Sequence, residues 1–137
     1  MKRVIGLGGI FFKARDRDAM RAWYRDHLGI DTGPAGFTQF EWRAMEAPEK
    51  VGQTVWSLFP ADTRYLDPGT ANFMINYRVE NLDALLEMLH AEGVEVDPKK
   101  EDSEFGKFGW IIDPEGNKIE LWEPPASTDS GDGIPMA

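Results

Sequence analysis

The first apolar run of the chain, Val4 to Phe12, is built of Val, Ile, Leu and Phe broken only by glycine, and a second run of similar type spans Phe73 to Val79. Such β-branched and aromatic runs predict strands, at about 5–14 and 72–79. A helical period follows each. Leu82, Leu85, Leu86 and Leu89 recur at i, i+3, i+4 and i+7, which makes one apolar face, and Met20, Trp23, Tyr24 and Leu28 do so less cleanly. Asp16 and Asn81 are placed as N-caps, since a short side-chain oxygen can accept from the free amides of a first turn. Gly29 and Gly93 suit a left-handed helix end. Two or three strands then follow. They are predicted at about 37–45 and 53–59 in the first half and at 105–113 and 117–123 in the second. Asp113-Pro114-Glu115-Gly116 makes a type I turn between the last two.

The two halves resemble one another. IFFKARDRDAMRAWYRDHL (10–28) lies over INYRVENLDALLEMLHAEG (75–93), so that Ile10 falls on Ile75, Phe12 on Tyr77, Lys13 on Arg78, Asp18 on Asp83 and Ala19 on Ala84. TVWSLFP (54–60) lies over KIELWEP (118–124). Order, spacing and residue type agree more than identity does, as expected for a duplicated supersecondary unit. Module one covers about 1–60 and module two about 72–125, with a linker at 61–71 marked by Pro68 and Gly69. Together they form a single domain over 1–125. Residues 126–137 have little to bury and are expected to form a flexible tail.

A formal net charge of −9 opposes general binding to nucleic acid or to anionic membrane, both of which need basic patches. No apolar run approaches the roughly 20 residues that span a bilayer. The basic and then apolar start runs into Lys13, Arg15 and Asp16 without a small-residue cleavage site, so it is not expected to be a signal peptide. A cytoplasmic location is the default. The absence of cysteine excludes disulfides, thiolate metal sites and a cysteine nucleophile.

The paired arrangement, with WYRDHLGI closing the first helix, VENLDALLEMLHAEGVEV as the second, and FGKFGWIIDPEGNKIELWEP as the ending, resembles the vicinal oxygen chelate superfamily. That superfamily contains glyoxalase I, bleomycin and fosfomycin resistance proteins, and extradiol dioxygenases. The resemblance covers about residues 3–124, and Asp-Pro-x-Gly-Asn followed by Ile-Glu-Leu is its most specific part. It implies an α+β fold of two βαβββ modules whose cupped sheets enclose a cavity, usually in a homodimer. In metal-dependent members the ion sits in the cup, held by the first and last strands of the modules.

Carried over by position, the metal-ligand places implied by the resemblance fall on Gly9 (or Gly8), Met74, Trp56 and Glu120. Only Glu120 is a usable ligand, whereas specific transition-metal sites need three or more. A one-residue slip would offer only Asn76 or Glu41. His27 and His90 fall late in helices and are expected on the surface. A divalent metal is therefore disfavoured, and no other cofactor is implied.

Alternation then assigns the cup Gly9, Phe11 and Lys13 from one strand, Met74, Asn76 and Arg78 from its copy, and Trp56, Leu58, Glu120 and Trp122 from the two last strands. Such an aromatic wall with few polar groups suits a small-molecule ligand, with the glycines leaving room for it. Lys13 and Arg78 could counter an anionic group, and Phe105 and Phe108 could form a lid. For Glu120 three readings stay open: an exposed strand residue, a hydrogen-bonding or acid/base group, or a metal ligand. The leading expectation is a metal-independent, bleomycin-resistance-type binder of an aromatic or amphipathic molecule. The alternative is a lyase, isomerase or dioxygenase that uses Glu120.

Overall fold

The computed structural model describes residues 2–126. The predicted tail lies, from residue 127 onward, outside the described residues. The elements run β1 (Val4–Ala14), α1 (Arg17–Leu28), a 3-10 turn (Gly33–Ala35), β2 (Phe37–Ala44), β3 (Ala47–Pro60), β4 (Phe73–Val79), α2 (Leu82–Ala91), β5 (Glu95–Ser103), β6 (Gly106–Ile112) and β7 (Lys118–Glu123). The second half is βαβββ. In the first half the 3-10 turn at Gly33–Ala35 stands where the second half has β5. Gly33, Pro34 and Gly36 account for this, because Gly33 and Gly36 both take positive φ and Pro34 offers no N–H to a ladder.

All seven strands form one open, curved sheet in the order β2-β3-β1-β4-β7-β6-β5. The two halves meet where β1 and β4 run antiparallel, with Ile10 directly opposite Ile75. β1 pairs parallel with β3, and β4 pairs parallel with β7, so each half repeats the same local pattern. The caps form as the short polar residues dictate. Asp16 Oδ1 accepts from the Ala19 amide at 3.0 Å and Asn81 Oδ1 from the Ala84 amide at 3.1 Å. Gly29 and Gly93 are both left-handed, with φ of 69° and 83°. In the 113–116 turn the Gly116 amide donates to the Asp113 carbonyl at 3.0 Å, and the Asp113 carboxylate accepts from the amides of Glu115 and Asn117.

Cross-strand pairing shows which residues share a face. Trp56, Ile10, Ile75, Ile119 and Ile111 form one row across β3, β1, β4, β7 and β6. This face carries both helices. Trp56 and Leu58 pack against Met20 and Tyr24 of α1, and Leu121 packs against Leu82, Leu85 and Leu86 of α2. The other face is concave. Its core is Phe11, Val55, Phe59, Met74, Phe108, Trp110 and Trp122, joined by Leu66 from the connection between β3 and β4.

Candidate functional site

The next row on the concave face is Val55–Gly9–Asn76–Glu120–Trp110. Glu120 lies in it between Asn76 and Trp110 and is wholly buried. A bare carboxylate there would be costly, so its hydrogen bonds matter. Asn76 Nδ2 donates to Oε1 at 2.7 Å, Trp110 Nε1 donates to Oε2 at 2.9 Å, and the Tyr65 hydroxyl donates to Oε2 as well. Asn76 and Trp110 are direct ladder neighbours of Glu120 on β4 and β6, which places them at hydrogen-bonding range. Tyr65 arrives from the β3–β4 connection. Its ring meets Phe59 at 5.7 Å and Trp110 at 6.3 Å, both edge to face.

Burial is the largest influence on Glu120 and raises its pKa above the usual carboxylate value, while the three donors and the nearby Lys118 ammonium pull the other way. Burial and the neighbouring carboxylate push the Tyr65 hydroxyl pKa up, so it stays protonated and serves as a donor. Lys118 Nζ donates to the Tyr65 carbonyl at 2.5 Å and lies over the Tyr65 and Trp110 rings, and burial lowers its pKa. Asn76 Oδ1 is buried without a hydrogen-bond partner. It points at Gly8, where a Cβ would stand 2.1 Å from it.

Beside this cluster runs a stack. Phe108 and Trp122 lie parallel at 6.0 Å, and the Arg78 guanidinium sits 4.9 Å from the Trp122 ring and 5.7 Å from the Trp42 ring. Trp42 in turn occupies the space that side chains at Gly6 and Gly52 would fill. Such cation–π layers desolvate a guanidinium while keeping it between electron-rich faces.

Several sequence expectations meet a different arrangement. Of the residues assigned to the cup, Phe11, Met74, Asn76, Glu120 and Trp122 do gather there, and Arg78 joins its edge. Trp56 and Leu58 do not: they face α1. Asn76 pairs with Glu120 in the second half and Phe11 with Ser57 in the first, so the counterpart of Glu120 is Ser57 rather than Trp56. The sequence overlay was one residue out on β3, and alternation turned that slip into the wrong face. Lys13 ends its strand at an open groove beside α1, away from Glu120. Gly8 and Gly9 leave no empty space, because Asn76 and the Phe11 ring take it. Phe108 is core rather than lid, and β5, through Ser103, leads up to it. Phe105 is half-buried against the core, and its carbonyl accepts from Trp122 Nε1 at 2.8 Å. His27 and His90 are exposed on the helices, as the sequence predicts.

Sequence reasoning missed Tyr65, Trp110 and Leu66. Trp110 was open to recognition, since it shares the concave face with Phe108 by alternation. Nothing local marks Tyr65, which sits in a turn-rich connection and reaches Glu120 only through the tertiary fold.

The residues converging on the cup do not fit a transition-metal ion. Glu120 is joined there by Gly9, Phe11, Val55, Ser57, Met74 and Asn76, and among the described residues no three His, Cys, Asp or Glu side chains come together.

Comparison with known proteins places this arrangement. The model of the glyoxalase-like domain family matches residues 9–122. No curated protein sequence matches. Among solved structures, methylmalonyl-CoA epimerase from Mycobacterium tuberculosis is 22% identical with a TM-score of 0.57, covering 96% of this chain and 95% of that one. A variant of the Streptomyces coelicolor methylmalonyl-CoA epimerase in complex with 2-nitronate-propionyl-CoA is 17% identical with a TM-score of 0.62, covering 90% and 99%. The Mn(II)-bound glyoxalase from Novosphingobium aromaticivorans is 19% identical with a TM-score of 0.57, covering all of this chain but 44% of that one. At these identities the likeness is one of fold. With the family model matching most of its length, the chain belongs to the glyoxalase-like domain family of the vicinal oxygen chelate superfamily.

Proposed function

We propose that this protein binds a small aromatic or amphipathic molecule in the cup, without a metal, in the manner of bleomycin-resistance-type members of its superfamily. One observation carries the reading: a wholly buried carboxylate, Glu120, is held among aromatic rings by three donors, and one of them, Tyr65, belongs to a connection rather than to the sheet. The cup is filled by the protein's own side chains, with Leu66 buried beside Tyr65. Ligand entry therefore requires residues 61–72 to lift, and a hydrogen-bond donor on the ligand then takes the place of the Tyr65 hydroxyl. The test is a screen of planar aromatic compounds read by tryptophan fluorescence. Tyr65→Phe should bind a hit about fivefold more tightly than wild type, because one competing hydrogen bond of ~1 kcal/mol is gone. Glu120→Gln should bind it more weakly. No saturable hit, or equal affinity in all three proteins, defeats the reading.

A second reading draws on the raised proton affinity of Glu120. A carboxylate poised closer to neutrality suits general acid/base work, and the epimerase and glyoxalase neighbours are enzymes by name. Here the pH profile of ligand binding in Glu120→Gln should differ from that of the surface control Glu87→Gln. Identical profiles would remove it.

The same family reading makes the protein a homodimer, supported by the exposed apolar side chains of Val4, Leu7 and Phe40. Sedimentation velocity should give a species of twice the 15.5 kDa chain mass, and a monomer at every concentration would refute this.

A further inference from the structure

Outside the cup, an open groove of about 780 Å³ runs between the end of β1 and the first half of α1. Lys13, Arg15, Met20 and Trp23 line it, along with Ala61 and Asn72 at the two ends of the β3–β4 connection. Its size is that of an ordinary small-molecule site. None of these side chains belongs to the cluster around Glu120.

Two features come together in the groove. The first is charge. In this acidic chain many basic side chains have carboxylate partners: Lys2 has Glu46, Arg3 has Glu92, Arg21 has Asp18, and Lys100 and Lys107 share Asp83. Among the described residues, the Lys13 and Arg15 side chains make no hydrogen bond or ion pair. The one carboxylate in the lining, Asp16, is turned to its cap, accepting from the Ala19 amide at 3.0 Å. The second is an apolar wall. The Trp23 ring is 51% exposed although it sits on the helix face that also carries Met20 and Tyr24. Its ring meets Tyr24 at 5.1 Å and His27 at 5.0 Å and still lines the groove.

Cations without partners beside an exposed indole and a thioether complement a flat apolar body carrying a negative group. We propose that this groove is a binding site for a small aromatic carboxylate. The ring lies on Trp23 and Met20, and the carboxylate is held by Lys13 and Arg15. The site is separate from the cup and does not depend on the reading of Glu120. Lys13 is half-buried and Arg15 exposed, so the interaction is salt-sensitive and sets selectivity more than tight affinity.

The test is an amide and indole N–H NMR titration of the full chain with 1-naphthoate, and with 1-naphthamide as its uncharged counterpart. Naphthoate should shift the Trp23 indole and the amides of residues 13–20, and bind about fivefold more tightly than the amide at low salt. The preference should shrink at ~0.5 M NaCl, where the screening length falls to a few ångströms. The double variant Lys13→Gln, Arg15→Gln keeps both side chains long and polar and should keep the wild-type spectrum elsewhere while losing the preference for naphthoate. Shifts confined to the Trp110 or Trp122 indoles would assign the ligand to the cup and overturn the groove. Absence of shifts, or an unchanged preference in the double variant, would overturn it too.

Discussion

Replacing Glu120 with alanine should destabilise the fold by about 3 kcal/mol or more, because three buried donors lose their acceptor at ~1 kcal/mol or more each and a cavity opens in the core. The donors are the Tyr65 hydroxyl, Asn76 Nδ2 and Trp110 Nε1, and none can turn to solvent without breaking the packing around it. Glu120→Gln should cost far less. Its carbonyl can still accept from Tyr65 and Trp110. Its amide then needs an acceptor where Asn76 now donates, and Asn76 carries an unpartnered Oδ1 that a side-chain flip would supply. Chemical denaturation of the two variants measures the gap.

The same pair of proteins gives a pH prediction whose sign follows from burial. The folded state holds the Glu120 proton above the ordinary value of 4.5, where the unfolded chain has already released it. The native state then binds more protons than the unfolded one, so stability falls as pH rises from about 4.5 to the folded pKa and levels off beyond it. Subtracting the Glu120→Gln profile from that of wild type isolates this component from the exposed carboxylates. A difference that instead rises with pH below about 4.5, and is flat above it, would show that the three donors outweigh desolvation.

Gly106→Ala should be the most damaging glycine substitution in the second half of the chain, at about 3–5 kcal/mol. Gly106 opens β6 with φ of 114°, a conformation closed to L side chains. A Cβ would also stand 2.3 Å from the Glu123 carbonyl oxygen and 2.9 Å from Trp122 Nε1. Both are fixed, the first as backbone of β7 and the second by its hydrogen bond to the Phe105 carbonyl at 2.8 Å. Gly116 is the control. Its φ is 84°, but nothing lies within 4 Å of its missing Cβ, so Gly116→Ala should cost only ~1–2 kcal/mol. Thermal or urea unfolding of the two variants separates collision from conformational strain. Equal losses would mean that the contacts at Gly106 relax freely.

Much of the architecture was legible in the residues because it rests on short-range chemistry. The i, i+3, i+4, i+7 leucines of α2, the caps at Asp16 and Asn81, the left-handed Gly29 and Gly93, and the turn at 113–116 are each decided within a few residues. The duplication and Glu120 on the concave face could be read from the sequence as well. The tertiary structure decided what depends on register and on distant contacts. One bulge-free step along β3 settles whether Trp56 or Ser57 faces the cup, and no local residue preference distinguishes the two. Gly8 and Gly9 looked like vacant space, and only packing shows Phe11 and Asn76 filling it. The partner that completes Glu120, Tyr65, lies 55 residues away in a connection without periodicity. A buried carboxylate takes its donors from wherever the folded chain brings them, and that is set by the sheet as a whole rather than by any segment of it.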